Sequence, residues 1–306
     1  MDTPHPVVPG GLTASVVVRS KDKQATIERT LRALRDQTVA AQIIVVDSGS
    51  TDRTVEIARS FDAEVIEIPA SAFSYGGALN IGARHANGDI VFALSAHSAP
   101  PTDRWIEWSL EAYQDPNVAI TLGHFLGPAG APIAAATAVY AADLDLNHHV
   151  TWGMSNHASS WRREVWEQFP FDETLRASED KEFMWRALGA GYALVVDPRL
   201  AVDVQHRWDE GAKALYRRTF KEYAAIAELV DFDPPGPWQT VDKWWTKLYA
   251  SNRPKWQRRL SPKRNAELVG EFFGSRAGAR KRGAHTLARA AWLPAQSVAA
   301  SSDSAK

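Results

Sequence analysis

The chain reads Ile43-Ile44-Val45-Val46-Asp47-Ser48-Gly49-Ser50-Thr51-Asp52 within its first sixty residues. An unbroken apolar run that ends in polar turn residues is typical of a strand buried on both faces of a sheet. The polar end of this stretch can cap a helix, and Val55, Ile57 and Ala58 follow it as the apolar positions of that helix. Strand, turn and helix in this order predict one half of a βαβ unit.

The same rhythm continues on both sides of this stretch. A β-branched run at 15–19 comes first, and Ile27, Leu31 and Leu34 then follow at helical spacing. We expect the other elements to be, in chain order, strand 65–68, helix 77–86, strand 90–94, helix 104–113, an irregular segment 123–136, strand 151–159, helix 179–188, strand 193–196 and helix 211–229. The fold class predicted is α/β, with a mostly parallel sheet covered by helices on both faces and ligands bound at the carboxyl ends of its strands.

Composition narrows the class of protein. The hydrophobic fraction is 45% and the charged fraction 23%, so neither a disordered chain nor a membrane bundle is indicated. The absence of cysteine excludes thiolate catalysis, cysteine-zinc sites and disulfides. No run of about 20 apolar residues is present, and we expect a cytoplasmic protein. Neither GxGxxG after the first strand nor GxxxxGK[ST] is found, which argues against dinucleotide and P-loop enzymes.

Charge is distributed unevenly along the chain. Residues 243–289 hold 13 lysines and arginines against two acids, with Trp244, Trp245 and Trp256 among them. This segment is either a solvated helical face or a surface that meets anionic lipid or a phosphate-bearing acceptor. We predict a flexible tail at 1–12, a main domain at 13–230, a basic, tryptophan-rich and mainly helical extension at 231–292, and a disordered tail at 293–306.

Several segments between residues 13 and 230 resemble motifs of glycosyltransferase family 2, and within it the rhamnosyltransferase-like branch. The first strand and the stretch 44–52 resemble the nucleotide-binding strand and turn of that family. Residues 73–84, from Phe73-Ser74-Tyr75 to Gly82-Ala83-Arg84, and 88–90, Gly88-Asp89-Ile90, resemble the motifs that come next. Ala177-Ser178-Glu179-Asp180-Lys181-Glu182 resembles the "ED" motif. The resemblance implies a GT-A fold and an inverting glycosyltransferase.

The resemblance also implies roles for particular residues. Asp180 would be the general base that removes a proton from the acceptor hydroxyl, with Glu179 beside it; a helix-capping role is the alternative. His157 and Trp161 are candidates for the acceptor pocket, although ordinary strand packing would also explain Trp161. The donor would be bound by residues at the strand ends and on the helix of the second motif, namely Val18, Arg19, Asp47, Ser50, Asn80, Arg84, Ser95, Ala96 and His97.

Two of these donor residues have plain alternatives. The Asp47 carboxylate can accept hydrogen bonds from a pyrimidine or a ribose, or it can cap the turn that follows. Arg84 can pair with a diphosphate, or it can be an exposed helix arginine.

The sequence departs from the family where two aspartates normally hold a divalent metal. Ser95-Ala96-His97 stands there, so both carboxylates are missing. Three accounts remain open: His97 and His206 bind Mn²⁺ or Mg²⁺, with imidazole favouring the softer ion; His97 contacts the diphosphate directly; or catalysis has been lost.

The predicted function is sugar transfer from a UDP-, dTDP- or GDP-linked donor to a carbohydrate, lipid-linked or small-molecule acceptor. A non-catalytic sugar-nucleotide-binding protein is the alternative, and a sugar nucleotidyltransferase a weaker one, because the loop after the first strand lacks glycines. We predict no nucleic-acid partner. Peripheral contact with the inner face of a membrane, through the basic segment, and a homodimer are further expectations.

Overall fold

The computed structural model describes residues 11–123, 126, 137–140, 153–204, 211–230, 233–246 and 261–283. Contacts divide the chain into two compact units. The first comprises residues 1–144, 152–174 and 179–205, and the second comprises 145–151, 175–178 and 206–306. The predicted domain boundary after residue 230 remains a prediction.

The first unit contains the sheet and six helices among its described residues. Its strands are β1 (Ala14–Ser20), β2 (Ala41–Asp47), β3 (Glu64–Glu67), β4 (Ile90–Ser95), β5 (Ser98–Ala99), β6 (Val118–Leu122), β7 (Thr137–Tyr140), β8 (Ala158–Arg162), β9 (Ala193–Val196) and β10 (Asp203–Val204). Its helices are α1 (Ile27–Arg35), α2 (Thr54–Ser60), α3 (Tyr75–His85), α4 (Trp105–Ala112), α5 (Arg163–Gln168) and α6 (Glu179–Gly189).

Eight strands form the main sheet, in the order β3-β2-β1-β4-β8-β6-β9-β7. Strands β1 to β4 are parallel, as are β6 and β9, whereas β8 and β7 run antiparallel to their neighbours. The mostly parallel sheet that the sequence predicts is therefore confirmed. The short strands β5 and β10 pair antiparallel in a separate two-stranded sheet.

Alternate residues of β1 face helices on opposite sides of the sheet. Val16 and Val18 belong to the core that includes Leu31 of α1 and Ile106 of α4. Val17 points the other way, towards α3, where a Cβ on Gly82 would lie 2.3 Å from a Val17 methyl. Helix α3 packs directly on the strand because position 82 carries no side chain. Helices cover both faces, as predicted.

The strand predicted at 151–159 is found later in the chain, at Ala158–Arg162. Residues 151–152 lie outside the described residues, and 153–157 form a bend and a turn. Polar residues can occupy this buried strand because Ser160 Oγ lies within hydrogen-bond distance of Thr121 Oγ1, at 2.7 Å, and of Ser109 Oγ, at 2.9 Å. Hydrogen bonding offsets the cost of burying these hydroxyls.

The second unit contains α7 (Ala212–Leu229), α8 (Pro237–Thr246) and α9 (Pro262–Ala279) among its described residues. Helices α7 and α9 approach closely, since a Cβ on Gly278 would lie 2.0 Å from the Ala224 carbonyl oxygen. Lys243 pairs with Glu271 and so joins α8 to α9. Helices α8 and α9 lie in the segment predicted as a helical extension, whose bounds remain a prediction. No helix in the described part of the chain has the length and apolar character needed to cross a membrane.

Candidate active site

Polar residues gather at the edge of the sheet where β1 and β4 end. Arg19 and Ser95 are neighbours in the register of these parallel strands. Strand β8 runs the opposite way, and its first residue, Ala158, pairs with Leu94. The residues just before β8 therefore reach the same edge as the last residues of β1 and β4.

Two acidic residues open helix α6 at this edge. The Glu179 side chain is buried, and its Oε1 accepts a hydrogen bond of 2.8 Å from Nδ2 of Asn156. The Asp180 Oδ2 accepts a longer one, 3.4 Å, from the backbone N–H of Asn156. One asparagine thus contacts both carboxylates.

Each carboxylate also has a cation nearby. Arg19 Nη1 lies 3.7 Å from Glu179 Oε1, and Lys181 Nζ lies 3.6 Å from Asp180 Oδ1. The Arg19 guanidinium also lies over the Tyr75 ring, 5.3 Å from its centroid. Its Nε and Nη1 are buried and have no hydrogen-bond partner among the described residues. The site therefore combines paired charges with donors that a ligand could satisfy.

Burial raises the pKa of Glu179 to about 7, and the negative charge of Asp180 acts in the same direction. The positive charge of Arg19 opposes both effects. A carboxyl group normally loses its proton far below neutral pH. Glu179 therefore changes charge near neutrality, inside a cluster that also holds Asp180.

The Ser95-Ala96-His97 segment brings two histidines together. The rings of His97 and His157 meet edge to face, with centroids 5.7 Å apart. The Ser155 Oγ lies 3.1 Å from His157 Nδ1. Ser95 and Ala96 are buried, whereas His97 and His157 are partly exposed. The structure thus places His97 and His157 next to each other.

A divalent-cation site is not complete among the described residues. No group of three or more His, Asp or Glu residues there is arranged to hold a metal ion. The Ser95-Ala96-His97 segment offers one hydroxyl and one imidazole, whereas Mg²⁺ and Mn²⁺ favour carboxylate and other oxygen ligands. His206, the second expected ligand, lies outside the described residues. The described residues alone do not fit the expected cation, and no chemical step is assigned to it.

Asp47 is fully buried at the end of β2 and organises the turn that follows. Its Oδ1 accepts hydrogen bonds from the backbone N–H groups of Gly49 and Ser50, at 3.1 and 2.7 Å. Its Oδ2 accepts from the hydroxyls of Ser20 and Ser50, at 2.8 and 2.5 Å. The protein itself occupies both oxygens, as the capping alternative describes. The Val18 side chain is likewise buried in the core.

Asn80 joins α3 to the segment after α5. Its Oδ1 accepts hydrogen bonds from Trp166 Nε1, at 2.8 Å, and from the Phe171 N–H, at 3.0 Å. Its Nδ2 donates to the Phe171 carbonyl, at 2.9 Å, and to Glu173 Oε1, at 2.8 Å. The hydrogen-bonding groups of the Asn80 side chain are therefore all used within the protein. None is left to bind a nucleotide-sugar donor.

Two further predicted residues lie away from the acidic pair. Trp161 is fully buried and packs against Phe171 and Phe183, with ring centroids 5.1 and 6.1 Å away. Its position on β8 directs the side chain into a buried face of the sheet, so Trp161 belongs to the core. Arg84 is exposed in the last turn of α3, next to His85, whose carbonyl accepts from Gln42 near the start of β2. Arg84 therefore lies at the opposite edge of the sheet.

Sequence reasoning missed Asn156, Lys181 and Tyr75. Asn156 is next to the predicted acceptor residue His157, and Lys181 follows the acidic pair directly. The neighbouring residues in the sequence do not reveal the contacts of Asn156 with the acidic pair. Asn156 meets α6 only once the sheet has folded. Tyr75 carries a signal as an aromatic residue just before the helix predicted at 77–86.

A family model described as "Glycosyl transferase family 2" matches residues 15–132. This segment of the chain is therefore similar to glycosyl transferase family 2. The family 2 segment supplies β1 to β6, including Arg19 and His97. The acidic pair and Asn156 come from residues beyond it.

Relatives of known description share part of their length with this chain. The O-antigen chain rhamnosyltransferase WbaN of Salmonella anatum is 29% identical over 185 residues, which are 55% of this chain and 58% of the relative. The pre-mycofactocin glycosyltransferase of Mycobacterium tuberculosis strain H37Rv is 28% identical over 223 residues, 66% of this chain and 45% of the relative. The chain thus spans about three fifths or less of the length of these relatives.

Solved structures share the fold. The mannosyltransferase PcManGT from Pyrobaculum calidifontis, in complex with GDP-Man and Mn²⁺, has a TM-score of 0.56 at 16% identity, covering 88% of this chain and 74% of that one. TarS 1-349 from S. aureus has a TM-score of 0.54 at 15% identity, covering 83% and 71%. The GT-A fold predicted from the sequence is confirmed.

Proposed function

We propose that this protein transfers a sugar, with inversion, from a nucleoside-diphosphate sugar to a hydroxyl group of a carbohydrate, lipid-linked or small-molecule acceptor. The observation that carries the proposal is the acidic pair at the start of α6, placed at the carboxyl edge of a family 2 sheet beside a buried arginine with free donors. The names of the relatives agree with this class of reaction, since they include a rhamnosyltransferase and a mannosyltransferase with GDP-Man.

Arg19 supports the choice of donor. A buried N–H without an acceptor costs about 1–3 kcal/mol, and almost all such groups in native proteins are satisfied. The Nε and Nη1 of Arg19 have no acceptor in the part of the chain that the structure describes. A diphosphate supplies several oxygen acceptors and negative charge together, which suits a guanidinium. The donor's UDP, dTDP or GDP group is therefore assigned to the edge that Arg19 and the 95–97 segment form.

Asp180 has the role of general base in this proposal. It accepts the proton of the acceptor hydroxyl while that oxygen forms a bond to the anomeric carbon. The bond from the anomeric carbon to the diphosphate breaks at the same time, and its electron pair leaves with the nucleoside diphosphate. Lys181 Nζ lies 3.6 Å from Asp180 Oδ1 and places a positive charge beside the proposed base. His157 lies on the acceptor side.

Glu179 acts in its ionised form. An ionised Glu179 can both accept from Asn156 and attract the Arg19 guanidinium. His97 either contacts the diphosphate directly or ligates Mn²⁺ or Mg²⁺ together with His206. Transfer measured with and without EDTA separates these two roles.

The proposal is tested with a panel of nucleotide sugars, using thermal shift for binding and a transfer assay for activity. Asp180→Asn should reduce transfer by about 10²–10⁴-fold, because an amide cannot take up the proton, while donor affinity stays within twofold. Asp103→Asn, at an exposed aspartate just before α4, is the matched control.

Failure of every nucleotide sugar to stabilise the protein would refute the proposal, and so would transfer within threefold of wild type in Asp180→Asn. Donor binding with neither hydrolysis nor transfer in the wild type would favour the non-catalytic alternative.

We also propose that the second unit contacts an anionic membrane surface. Helix α8 exposes Trp238, which is 83% accessible, together with Val241 and Trp245, at a helical spacing of three and four. Residues 247–260, which follow α8 in the sequence, contain five lysines and arginines and no acid. Tryptophan favours the interface of a bilayer, and basic residues are attracted to anionic lipid.

Vesicle sedimentation tests this surface. The protein should pellet with vesicles that contain anionic phosphatidylglycerol and much less with pure phosphatidylcholine. Trp238→Ser with Trp245→Ser should reduce pelleting at least fivefold, whereas Phe73→Ser, an exposed aromatic on the first unit, should not. Equal pelleting by the double variant and the wild type would contradict the proposal. Loss of a dimer in the double variant, without loss of vesicle binding, would assign the face to the expected homodimer instead.

A further inference from the structure

We propose that Asn156 is a positioning residue that holds Glu179 and Asp180 in the arrangement required for sugar transfer. The inference rests on the proposed function. It concerns a residue that touches neither reacting atom and acts through its two hydrogen bonds to the acidic pair.

The geometry is specific to this residue. Successive residues of a helix point in directions about 100° apart, so one partner rarely reaches two adjacent carboxylates. Asn156 does so by using two different groups, its side-chain amide for Glu179 and its backbone N–H for Asp180. It is 2% exposed, so water does not compete for these bonds.

The backbone of this segment is fixed from two sides. The N–H of Ala158 donates to the Ser155 carbonyl, at 3.1 Å, and Ala158 pairs with Leu94 of β4. The N–H of Met154 lies 3.3 Å from the Met184 sulfur, on α6. The turn before β8 is therefore tied to both the sheet and the helix that bears the acids, which allows Asn156 to orient them.

Charge explains why an amide is needed at this position. Glu179 faces the cation Arg19 from β1, and Asp180 and Lys181 from its own helix. The repulsion between Glu179 and Asp180 disfavours a state in which both are ionised. An amide N–H donated to Glu179 favours its ionised form without adding charge. A carboxylate at position 156 would add a third negative charge and remove the donor.

Steady-state kinetics on Asn156→Ala and Asn156→Asp, across pH, tests the inference. Asn156→Ala should lower kcat about 10–100-fold and leave the donor KM within threefold, and Asn156→Asp should lower kcat further. The acidic limb of the profile of kcat against pH should move to higher pH in Asn156→Ala. Loss of the amide N–H that donates to Glu179 raises the pKa of that carboxyl group. Asn117→Ala, an exposed asparagine before β6, is the matched control and should match wild type.

Two further measurements separate positioning from a general loss of structure. In a Glu179→Gln background, adding Asn156→Ala should lower kcat by less than a further threefold. The effects of two residues that act through one contact are not additive. An unchanged kcat, a fully additive double variant, or a loss of kcat with an unmoved pH profile would overturn the inference.

A third readout needs no activity. The pH dependence of Tm should contain a transition that belongs to Glu179, identified by its absence in Glu179→Gln. This transition should move to higher pH in Asn156→Ala. If no nucleotide sugar is transferred by the wild type, the proposed function fails, and an unmoved transition would then overturn the Asn156 contact independently.

Discussion

Arg19 and Glu179 face each other at the carboxyl edge of the sheet, with Nη1 of the arginine 3.7 Å from Oε1 of the glutamate. This separation is too long for a hydrogen bond. The two charges attract each other, but the contact does not use the N–H groups of the guanidinium. Both side chains are largely buried, at 13% and 5% exposure. The pair is therefore a prearranged cation next to the acids rather than a closed salt bridge.

Replacement of Arg19 should weaken donor binding. We expect Arg19→Gln to raise the donor Kd about 10–100-fold, because the positive charge is lost, and Arg19→Lys to restore part of the affinity. Isothermal titration with the donor checks this. Arg84→Gln is the matched comparison and should leave the Kd within twofold, since Arg84 lies at the opposite edge of the sheet. An effect of Arg84→Gln as large as that of Arg19→Gln would return Arg84 to the donor site.

Glu179 should make the protein less stable as pH rises. Its folded-state pKa, about 7, is above its ordinary value of 4.5, so the folded protein binds this proton more tightly than the unfolded chain. The free energy of unfolding should fall between about pH 4.5 and 7, by on the order of 3 kcal/mol. Urea unfolding at pH 5 and pH 8 measures this difference. The difference in the free energy of unfolding between the two pH values should shrink in Glu179→Gln and persist in Glu67→Gln, an exposed control. An equal difference in all three proteins would contradict the prediction.

Asn80→Ala should act on stability rather than on donor affinity. The substitution leaves Trp166 Nε1 and the Phe171 N–H without their acceptor, which should cost about 3 kcal/mol in the free energy of unfolding. Denaturant titration measures the cost, with Asn117→Ala as the control. A donor Kd raised tenfold in the folded variant, with stability unchanged, would instead support donor binding by Asn80.

The 95–97 segment can be changed towards a cation site. Ser95→Asp with His97→Asp supplies two carboxylates, which form a hard oxygen site. We expect donor affinity in this double variant to fall at least tenfold in EDTA and to recover with Mg²⁺. Ser95→Ala with His97→Ala is the control and should show no such recovery. Identical affinities with EDTA and with Mg²⁺ in the aspartate variant would contradict the expectation.

Much of the fold could be predicted because the apolar runs are local signals. The run at 43–47 and its turn predict β2 and α2 directly, and the positions of Ile27, Leu31 and Leu34 predict α1. The serines of β8 give no such signal, because their burial depends on hydroxyl partners from other elements, among them Ser109 and Thr121. The sequence pattern consequently predicts this strand too early in the chain.

The site was only partly predictable for a similar reason. Residue type and spacing indicated the acidic pair and His97. They could not show that Asp47 and Asn80 are saturated by bonds within the protein, since those bonds depend on folded neighbours. The Asn156 contacts depend on an antiparallel strand whose direction no local pattern encodes.

The position of β8 between β4 and β6 also limits the order in which the sheet can fold during synthesis. Both of its neighbours precede it in the chain, so during translation β4 and β6 leave the ribosome with unpaired edges that only a later segment can fill. Non-local pairing of this kind slows folding and leaves strand edges open to other chains in the meantime. A nascent chain that has reached only residue 132 would hold the paired strands β3-β2-β1-β4 and a separate β6 with neither of its partners. The edge of the sheet that holds Arg19 and Ser95 can therefore be completed only late, when the turn before β8 and the start of α6 have both emerged.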